Sequence, residues 1–353
     1  MKSKKVVPVF FASDKNYVPY LTVAIKSLTN FTTDAHDYKL YILTHDLTEE
    51  DIAEIKSYEK SNVSVEIVDV SEKIETIKHK VALRDYYSVS IYFRLFIPSM
   101  FPQYDKAIYL DSDIVLNRDI ADLYNVDIGF NYVGAILDET VFTNDTFIYY
   151  VNEALDVSEK QYFNSGVLSM NLKKFRDNKI EDDFYNWVNN YSTKFGSVAP
   201  DQDYLNCICK NKVKYFPLGW NKMPLASTLP DNELFLIHYN MFFKPWKYEK
   251  TMFEDYFWKY AKETSFYDLL KTQQLAYTEE KKKNDLLAID NLMKIARNIA
   301  DSGNNYKTLV LGKGKTIETF SSYETEEDED VFDLNIAEEP IPVLVSAIKK
   351  NHR

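Results

Sequence analysis

Asp111 and Asp113 directly follow the apolar segment 106–110, with Ser112 between them. Segment 106–110 has the composition of a β-strand, in which side chains at positions i and i+2 point to the same side. Two carboxylates held side by side repel each other, so the pair favours a shared proton or a bound divalent cation. Oxygen ligands of this kind suit Mg²⁺, Mn²⁺ or Ca²⁺. An Asp-x-Asp pattern becomes specific only with a further ligand.

His238 is a candidate for that ligand, because it ends the apolar run 234–237. An imidazole at a strand terminus can complete an oxygen-rich metal shell, and Lys244 can meet a phosphate as a point charge. Read in isolation, however, the segment favours a hydrogen-bonded core histidine. Asp201 and Gln202 follow a proline and fit a helix N-terminus, where acids complement the dipole. Capping and an active-site role are compatible there.

The rest of the chain must position these residues, and it alternates apolar runs with segments of helical period. Strands are predicted at residues 6–12, 39–44, 63–70, 106–110, 132–137, 166–172 and 234–238, and helices at 17–28, 49–58, 181–190 and 201–210. Strands alternating with helices predict a largely parallel α/β sheet covered on both faces. Ligands of such sheets bind at the carboxyl ends of the strands, which is where Asp111 stands.

The chain has 353 residues, which at about 150 residues per domain suggests two units or one domain with an appendage. We predict a mixed α/β domain over residues 1–260 and a helical C-terminal extension over residues 261–353. From Asp285 onward, apolar residues at helical spacing predict an amphipathic helix packed on the first domain. Residues 324–330 are predicted to be an acidic linker, and the tail 341–350 is a candidate for docking or for contact with lipid.

The net charge is −12, of which six carboxylates lie in residues 324–330. No nucleic-acid partner is predicted, because nucleic-acid binding requires clustered Lys and Arg. No segment offers the ~20 apolar residues that cross a bilayer, and the short apolar start 6–12 predicts a buried strand rather than a signal peptide. Cys207 and Cys209 lie two apart in a predicted helix, so no disulfide framework is expected. A cytoplasmic location is predicted, with peripheral contact at the inner face of the membrane through the tail left open.

Five segments, in order, resemble glycosyltransferase family 8, whose members have the GT-A fold and transfer hexoses from nucleotide sugars with retention of anomeric configuration. They are residues 11–17 (FASDKNY), 92–94 (YFR), 111–113 (DSD), 163–167 with 201–203 (FNSGV and DQD), and 238–246 (HYNMFFKPW). The resemblance covers residues 6–246. It implies the mixed, mainly parallel sheet of nucleotide-diphospho-sugar transferases.

The resemblance also implies a role for each matching residue. Asp111, Asp113 and His238 would hold Mn²⁺, or Mg²⁺, with Lys244 on the diphosphate. The donor-binding set would be Ala12, Asp14, Asn16 and Tyr17 around the uridine, Arg94 and Ser112 near the donor, and Asn164 at the sugar. The catalytic candidates would be Asp138, Asp201 and Gln202. Met241 departs from the family, whose loop usually has a glycine there that lets the backbone approach the phosphate.

The implied function is that of a retaining hexosyltransferase, which moves glucose or galactose from UDP-glucose or UDP-galactose to a saccharide or glycoconjugate acceptor. Because the anomeric carbon becomes oxocarbenium-like, a carboxylate or amide can stabilise it. No dedicated nucleophile and base pair is evident, so we favour attack from the leaving-group side over a covalent intermediate. The acceptor is expected near the aromatic residues beyond position 138, which are Phe142, Phe147, Tyr149 and Tyr150, although plain packing also accounts for these rings.

Two other functions share part of this pattern. A sugar-nucleotide pyrophosphorylase would have the α/β plan and the metal-binding acids, but also a glycine-rich loop after the first strand. Residues 12–17 contain no glycine. A non-catalytic carbohydrate-binding protein would keep the fold and lose the metal ligands, whereas Asp111, Asp113 and His238 are all present. Both alternatives are therefore disfavoured.

Overall fold

The computed structural model describes residues 4–77, 89–190, 196–225 and 227–313. The strands are β1 (Lys5–Ala12), β2 (His36–Thr44), β3 (Val63–Asp69), β4 (Ala107–Leu110), β5 (Ile114–Leu116), β6 (Val133–Leu137), β7 (Phe163–Met170), β8 (Val213–Tyr215) and β9 (Leu236–His238). The helices are α1 (Val18–Phe31), α2 (Glu49–Lys56), α3 (Ser71–Ile77), α4 (Ile97–Met100), α5 (Ile120–Asn125), α6 (Glu139–Phe142), α7 (Asp145–Leu155), α8 (Leu172–Asp177), α9 (Ile180–Asn190), α10 (Pro200–Ile208), α11 (Glu254–Ala261), α12 (Tyr267–Leu275), α13 (Glu279–Ser302) and α14 (Tyr306–Leu309). Short 3₁₀ helices occupy Lys15–Tyr17, Val89–Leu95, Leu218–Asn221 and Asp231–Glu233.

Seven of the strands form one sheet in the order β3-β2-β1-β4-β7-β6-β8. Strands β1 to β4 run parallel, and β8 runs parallel to β6. Strand β7 runs against both of its neighbours, β4 and β6. The sheet is therefore mixed and mainly parallel, with helices beside it, and the predicted fold class is confirmed.

Both faces of this sheet are buried, which is why its central strands read as continuous apolar runs. In β1, Phe10 belongs to the apolar cluster on one face, and Val9 and Phe11 belong to the cluster on the other. In β4, Tyr109 belongs to the same cluster as Phe10, and Ile108 belongs to the cluster of Val9 and Phe11. Fully burying one such side chain stabilises a fold by about 1.5–3 kcal/mol. The buried sheet therefore fixes the positions of the polar residues at the ends of its strands.

The strands and helices that were predicted with both ends agree with the structure to within three residues, whereas the amphipathic helix predicted from Asp285 onward begins six residues earlier, at Glu279. The cap of α2 is a reciprocal pair, in which Thr48 accepts from the Asp51 amide at 3.2 Å and Asp51 accepts from the Thr48 amide at 3.0 Å. Strand β7 begins earlier than predicted, because the polar residues Asn164 and Ser165 lie inside it. It also ends earlier, since Asn171 leaves the sheet to cap α8.

Strands β5 and β9 form a separate antiparallel pair beside the main sheet. In this pair Ile114 lies opposite His238. Behind it, Val115 and Ile237 pack into an apolar cluster with Trp246 and Phe257. The segment Asp111-Ser112-Asp113 is the connection between β4 and β5, so the small sheet brings the end of β9 to that connection.

Helix α13 packs on the preceding domain, as its apolar spacing predicts. Leu292, Ala296 and Ile299 share a buried cluster with Val151 and Leu155 of α7. The predicted domain boundary at residue 260 falls in the last turn of α11 and remains a prediction. The predicted acidic linker 324–330 and the tail 341–350 lie outside the described residues. No helix of the described part combines the length and the apolar composition that a membrane span requires.

Candidate active site

The two aspartates and His238 meet where the two sheets join. His238 ends β9, and its partner in β5, Ile114, directly follows Asp113. His238 Nε2 lies 3.2 Å from Asp113 Oδ1 and 3.7 Å from Asp111 Oδ2. One ligand atom of each residue lies within 4.8 Å of the other two. The three side chains converge as predicted, but β4 ends before Asp111, so the bend between the strands brings them together, not strand alternation.

A chain of hydrogen bonds fixes which nitrogen of His238 faces the acids. The Asp138 carboxylate only accepts, so Asn164 donates to it through Nδ2 at 3.0 Å. Asn164 Oδ1 then accepts from Asn221 Nδ2, and Asn221 Oδ1 accepts from His238 Nδ1, each at 2.9 Å. With its proton on Nδ1, the neutral imidazole presents the lone pair of Nε2 to the two aspartates. This is the tautomer that a metal ligand requires.

Two glycines allow these groups to approach so closely. A Cβ on Gly166 of β7 would lie 2.4 Å from His238 Cε1 and 2.5 Å from Asp111 Oδ2. A Cβ on Gly219 would lie 1.8 Å from the Glu233 carbonyl oxygen, where the segment that carries Asn221 crosses the chain before β9. Real Cβ atoms do not tolerate either approach, so both positions require glycine for the site to keep its shape.

Arg94 is a buried cation that lies against two of the carboxylates. Its guanidinium donates to Asp111 Oδ1 at 2.9 Å and lies 3.4 Å from Asp201 Oδ2. It also lies 4.3 Å from the centre of the Tyr109 ring, and the Tyr109 hydroxyl donates to Asp111 at 2.9 Å. Burial alone would lower the pKa of Arg94, but Asp111, Tyr109 and Asp201 outweigh it and raise the pKa. Arg94 therefore stays charged and orients Asp111.

Lys244 is a second buried cation at the same place. Its ammonium lies 2.5 Å from Asp113 Oδ2 and donates to the Tyr239 carbonyl at 2.7 Å. Burial by itself would raise the pKa of Asp113, but the Lys244 ammonium holds that pKa well below its usual range. Asp113 is therefore ionised, and Lys244 is close enough to serve either the carboxylate or an anionic ligand beside it.

The predicted catalytic residues form one connected group. Asp201 and Gln202 lie in the first turn of α10, as predicted. Gln202 donates to Asp138 at 3.0 Å and accepts from the Ser165 amide at 2.9 Å, while Asp201 accepts from the Ser165 hydroxyl at 3.1 Å. Burial raises the pKa of Asp201, and Arg94 offsets only part of that rise. The group is rigid, because nearly every polar atom already has a partner.

These residues line one cleft of about 480 Å³. The predicted metal and catalytic residues all belong to its wall. So do six of the predicted donor-binding residues, which are Ala12, Tyr17, Arg94, Ser112, Asn164 and Lys244. Asp14 and Asn16 are not part of the described wall: Asp14 caps the turn Lys15–Tyr17 by accepting from the Asn16 amide at 2.9 Å, and Asn16 is exposed.

The aromatic residues proposed for the acceptor divide into two groups. Phe147 and Tyr150 line the cleft, whereas Phe142 is not part of its described wall. Tyr149 instead lies against Arg297 and donates to Asp301 at 2.7 Å, so it packs α7 against α13. Tyr20 and Trp246, which the sequence did not single out, stack with ring centres 4.1 Å apart in the cleft wall.

Three residues that shape the site were missed by the sequence analysis. Tyr109 and Ser165 orient carboxylates, and Asn221 orients His238. A signal exists for Asn221, because it and Lys222 are the two polar residues in the otherwise apolar segment 216–223, which is too short to be an exposed helix. Nothing in the sequence distinguishes Tyr109 from a core tyrosine.

Replacing Asn221 by alanine is expected to weaken Mn²⁺ binding by about 10–100-fold, the usual loss when the partner of a ligating histidine is removed. Calorimetric titration with Mn²⁺ in the presence of UDP measures the effect. Asn221→Asp keeps an acceptor for Nδ1–H but loses the donor to Asn164, so it should bind Mn²⁺ more tightly than Asn221→Ala does. Asn178→Ala, at an exposed position, serves as the matched control. Unchanged Mn²⁺ affinity in a folded Asn221→Ala protein would show that Asn221 does not orient the imidazole.

Comparison with known proteins places this arrangement in a family. The model of glycosyl transferase family 8 matches residues 8–250. A putative glycosyltransferase of Haemophilus influenzae is 32% identical over 221 residues, which are 61% of this chain and 63% of that protein. A lipopolysaccharide 1,2-glucosyltransferase of Escherichia coli is 22% identical over 303 residues, which are 81% of this chain and 85% of that protein.

Among solved structures, the galactosyltransferase LgtC in complex with donor and acceptor sugar analogues superposes with a TM-score of 0.59 at 25% identity. The match covers 73% of this chain and 96% of LgtC. The chain spans less than two thirds of the length of the first curated relatives that it matches, at 63%, 24% and 30%.

Proposed function

This chain belongs to glycosyltransferase family 8, and we propose that it is a retaining enzyme that moves glucose or galactose from a UDP-sugar to a saccharide or glycoconjugate acceptor. The observation that carries the proposal is the convergence of Asp111, Asp113 and His238 in the wall of a cleft that Asp138, Asp201 and Gln202 also line. The first group suits a diphosphate with its metal, and the second suits a sugar. Together they match the two halves of a nucleotide sugar.

The donor set of the first group fits a divalent cation. Two carboxylate oxygens and a neutral imidazole nitrogen suit Mn²⁺ or Mg²⁺, and Asn221 leaves the Nε2 lone pair of His238 free. Asp111, Asp113 and His238 would hold the ion. When bound, it would act as a Lewis acid that stabilises the negative charge on the departing diphosphate.

Lys244 would assist the same leaving group. Its contact with Asp113 is a pairing that an ion bound at Asp113 would replace, because both cations need the same carboxylate. The ammonium is then free to donate to an oxygen of the diphosphate as a charge-assisted hydrogen bond. Arg94 would keep Asp111 in place throughout, since its bonds to Asp111 and Ser165 do not depend on the ligand.

At the sugar, the residues favour stabilisation of charge over formation of a covalent bond. Asp201 is buried and already engaged by Arg94 and Ser165, and Asp138 accepts from Asn164 and Gln202. A carboxylate held in this way is a poor nucleophile but a good electrostatic partner for an oxocarbenium-like carbon. The acceptor hydroxyl would attack the anomeric carbon as its bond to the phosphate oxygen breaks. The hydroxyl proton would pass to that phosphate oxygen, and UDP would leave.

The test is to incubate the protein with Mn²⁺ and a panel of UDP-sugars and to measure the UDP released. We expect slow hydrolysis of UDP-glucose or UDP-galactose, acceleration by saccharides that serve as acceptors, and loss of both on chelation. Both hexoses belong in the panel, because they differ only in the orientation of one hydroxyl. If no UDP-hexose were hydrolysed or transferred in the presence of Mn²⁺ or Mg²⁺, the proposed function would be wrong.

A further inference from the structure

An apolar recess of about 100 Å³ opens off the catalytic cleft. Its wall is formed by Phe147 of α7, Pro224 and Leu225, Phe243, and Ile289 and Leu292 of α13. Phe147 and Leu292 also line the cleft itself, as do Met241 and Phe242, so the two spaces are continuous. The recess is thus a branch of the active site and not a separate surface groove.

The polar residues at the border of the recess turn their donors away from it. Thr140 and Asn240 donate to the sulfur of Met223 at 3.6 and 3.4 Å, and Asn144 donates to the sulfur of Met293 at 3.7 Å. The space therefore presents almost entirely carbon. Apolar cavities of about 150 Å³ stay dry and bind small hydrocarbons, so a recess of this composition favours an alkyl group over water.

The recess lies on the side of the cleft that is left for the acceptor. Thr140 stands two residues after Asp138, and Asn240 stands two residues after His238. The proposed function puts the sugar beside Asp138 and the diphosphate beside His238, so the reacting bond would lie between them. The nucleotide would lie beside Ala12, Tyr17 and Ser112, which line the same cleft. A group attached to the acceptor sugar is the part of the reactants that would reach the recess.

Met241 also favours an apolar group in the recess. Its φ is +60°, a left-handed conformation that is unfavourable for a residue with a Cβ atom. Its side chain is 37% exposed and lies at the junction of the cleft and the recess. Flexible methionine side chains are common on surfaces that bind apolar groups of variable shape, so the side chain contributes apolar contact where the two spaces meet.

We propose that this recess binds an alkyl aglycone carried by the acceptor sugar, with α13 supplying one wall through Ile289 and Leu292. The inference rests on the proposed function, because it assigns the acceptor to the same cleft. Ile289 and Leu292 lie three residues apart on α13, hence on one face of that helix. Both stand outside residues 8–250, so this wall belongs to the part of the chain that the family model does not match.

The test is to titrate the protein, with UDP and Mn²⁺ present, with methyl, butyl and hexyl β-D-glucosides and β-D-galactosides, and to follow binding by ligand-observed NMR. Each methylene buried should tighten binding about fourfold, so the butyl glycoside is expected to bind at least tenfold more tightly than the methyl glycoside. Equal affinity across the series would overturn the inference. So would self-association of the protein through this face, detected by light scattering and abolished by Ile289→Glu.

The variants are Ile289→Glu and, on the opposite wall, Leu225→Glu, each of which should reduce the preference for butyl over methyl to less than twofold. Leu287→Glu, on the same helix but 51% exposed, should keep the wild-type preference. Persistence of the full preference in both recess variants would also overturn the inference. Hydrolysis of UDP-hexose is measured separately. If wild type did not hydrolyse UDP-hexose but still bound the butyl glycoside more tightly than the methyl glycoside, the proposed function would be wrong and the recess would remain an alkyl-binding site.

Discussion

Asp113→Ala is expected to lower Mn²⁺-dependent UDP release by on the order of 10³, because a Lewis acid at a leaving group contributes several kcal/mol and each 1.4 kcal/mol is about tenfold in rate. Asp113 has two partners in the site, His238 and Lys244. The alanine variant removes the carboxylate that Lys244 contacts and that the proposed metal ion would need. The measurement is the initial rate of UDP formation at saturating UDP-hexose over a range of Mn²⁺ concentrations.

The control for this variant must separate loss of metal from loss of structure. Asp122→Ala removes a carboxylate that pairs with Arg118 at the surface, and it should leave the rate unchanged. The thermal midpoint of Asp113→Ala should fall, because the variant leaves the buried ammonium of Lys244 without its carboxylate, so circular dichroism is used to verify that the variant is folded at the assay temperature. Undiminished turnover in a folded Asp113→Ala protein would remove the metal from the mechanism.

Asp201→Asn is expected to lower kcat by about 10²–10³, the range found when one preorganised group that stabilises transition-state charge is removed. The affinity for UDP should change by less than about threefold, because the proposed function puts Asp201 beside the sugar and not beside the nucleotide. Arg94 keeps its bond to Asp111 in the variant, so the metal ligands remain in place. Steady-state kinetics and a UDP titration give the two quantities.

Asp182→Asn, an identical change at an exposed position of α9, is the matched control and should behave as wild type. A fall in UDP affinity with kcat preserved would contradict the placement of Asp201 at the reacting carbon. A parallel fall in kcat and in thermal midpoint would assign Asp201 to the support of Arg94 instead.

The sequence predicted those parts of the fold in which one local signal suffices. Residues 7–11 are apolar without alternation because β1 is buried on both faces, and Thr48 with Asp51 marks the start of α2 by chemistry that needs no tertiary partner. The early start of β7 escaped prediction because Asn164 and Ser165 are polar residues inside a buried strand. Their partners come from α6, α10 and the segment before β9, which no local pattern reveals.

The same distinction applies to the site. The spacing of Asp111 and Asp113 in the sequence already marks them as a candidate metal-binding pair. The sequence around His238, in contrast, fitted both a metal ligand and a core histidine. In the structure His238 is buried, hydrogen-bonded to Asn221 and directed at the two aspartates. The roles of Asn221 and Tyr109 depend on contacts between distant parts of the chain, as does the recess between α7 and α13. Sequence patterns carry no information on such distances until the fold is known.

The most direct test of the central claim is the electron spin echo spectrum of Mn²⁺ bound to the protein with UDP. Coordination by the Nε2 atom of His238 predicts nitrogen modulation from an imidazole, lost in His238→Gln and retained in the exposed-site control His45→Gln. A spectrum without nitrogen modulation in wild type, or the same modulation in His238→Gln, would show that the two aspartates and His238 do not hold one ion.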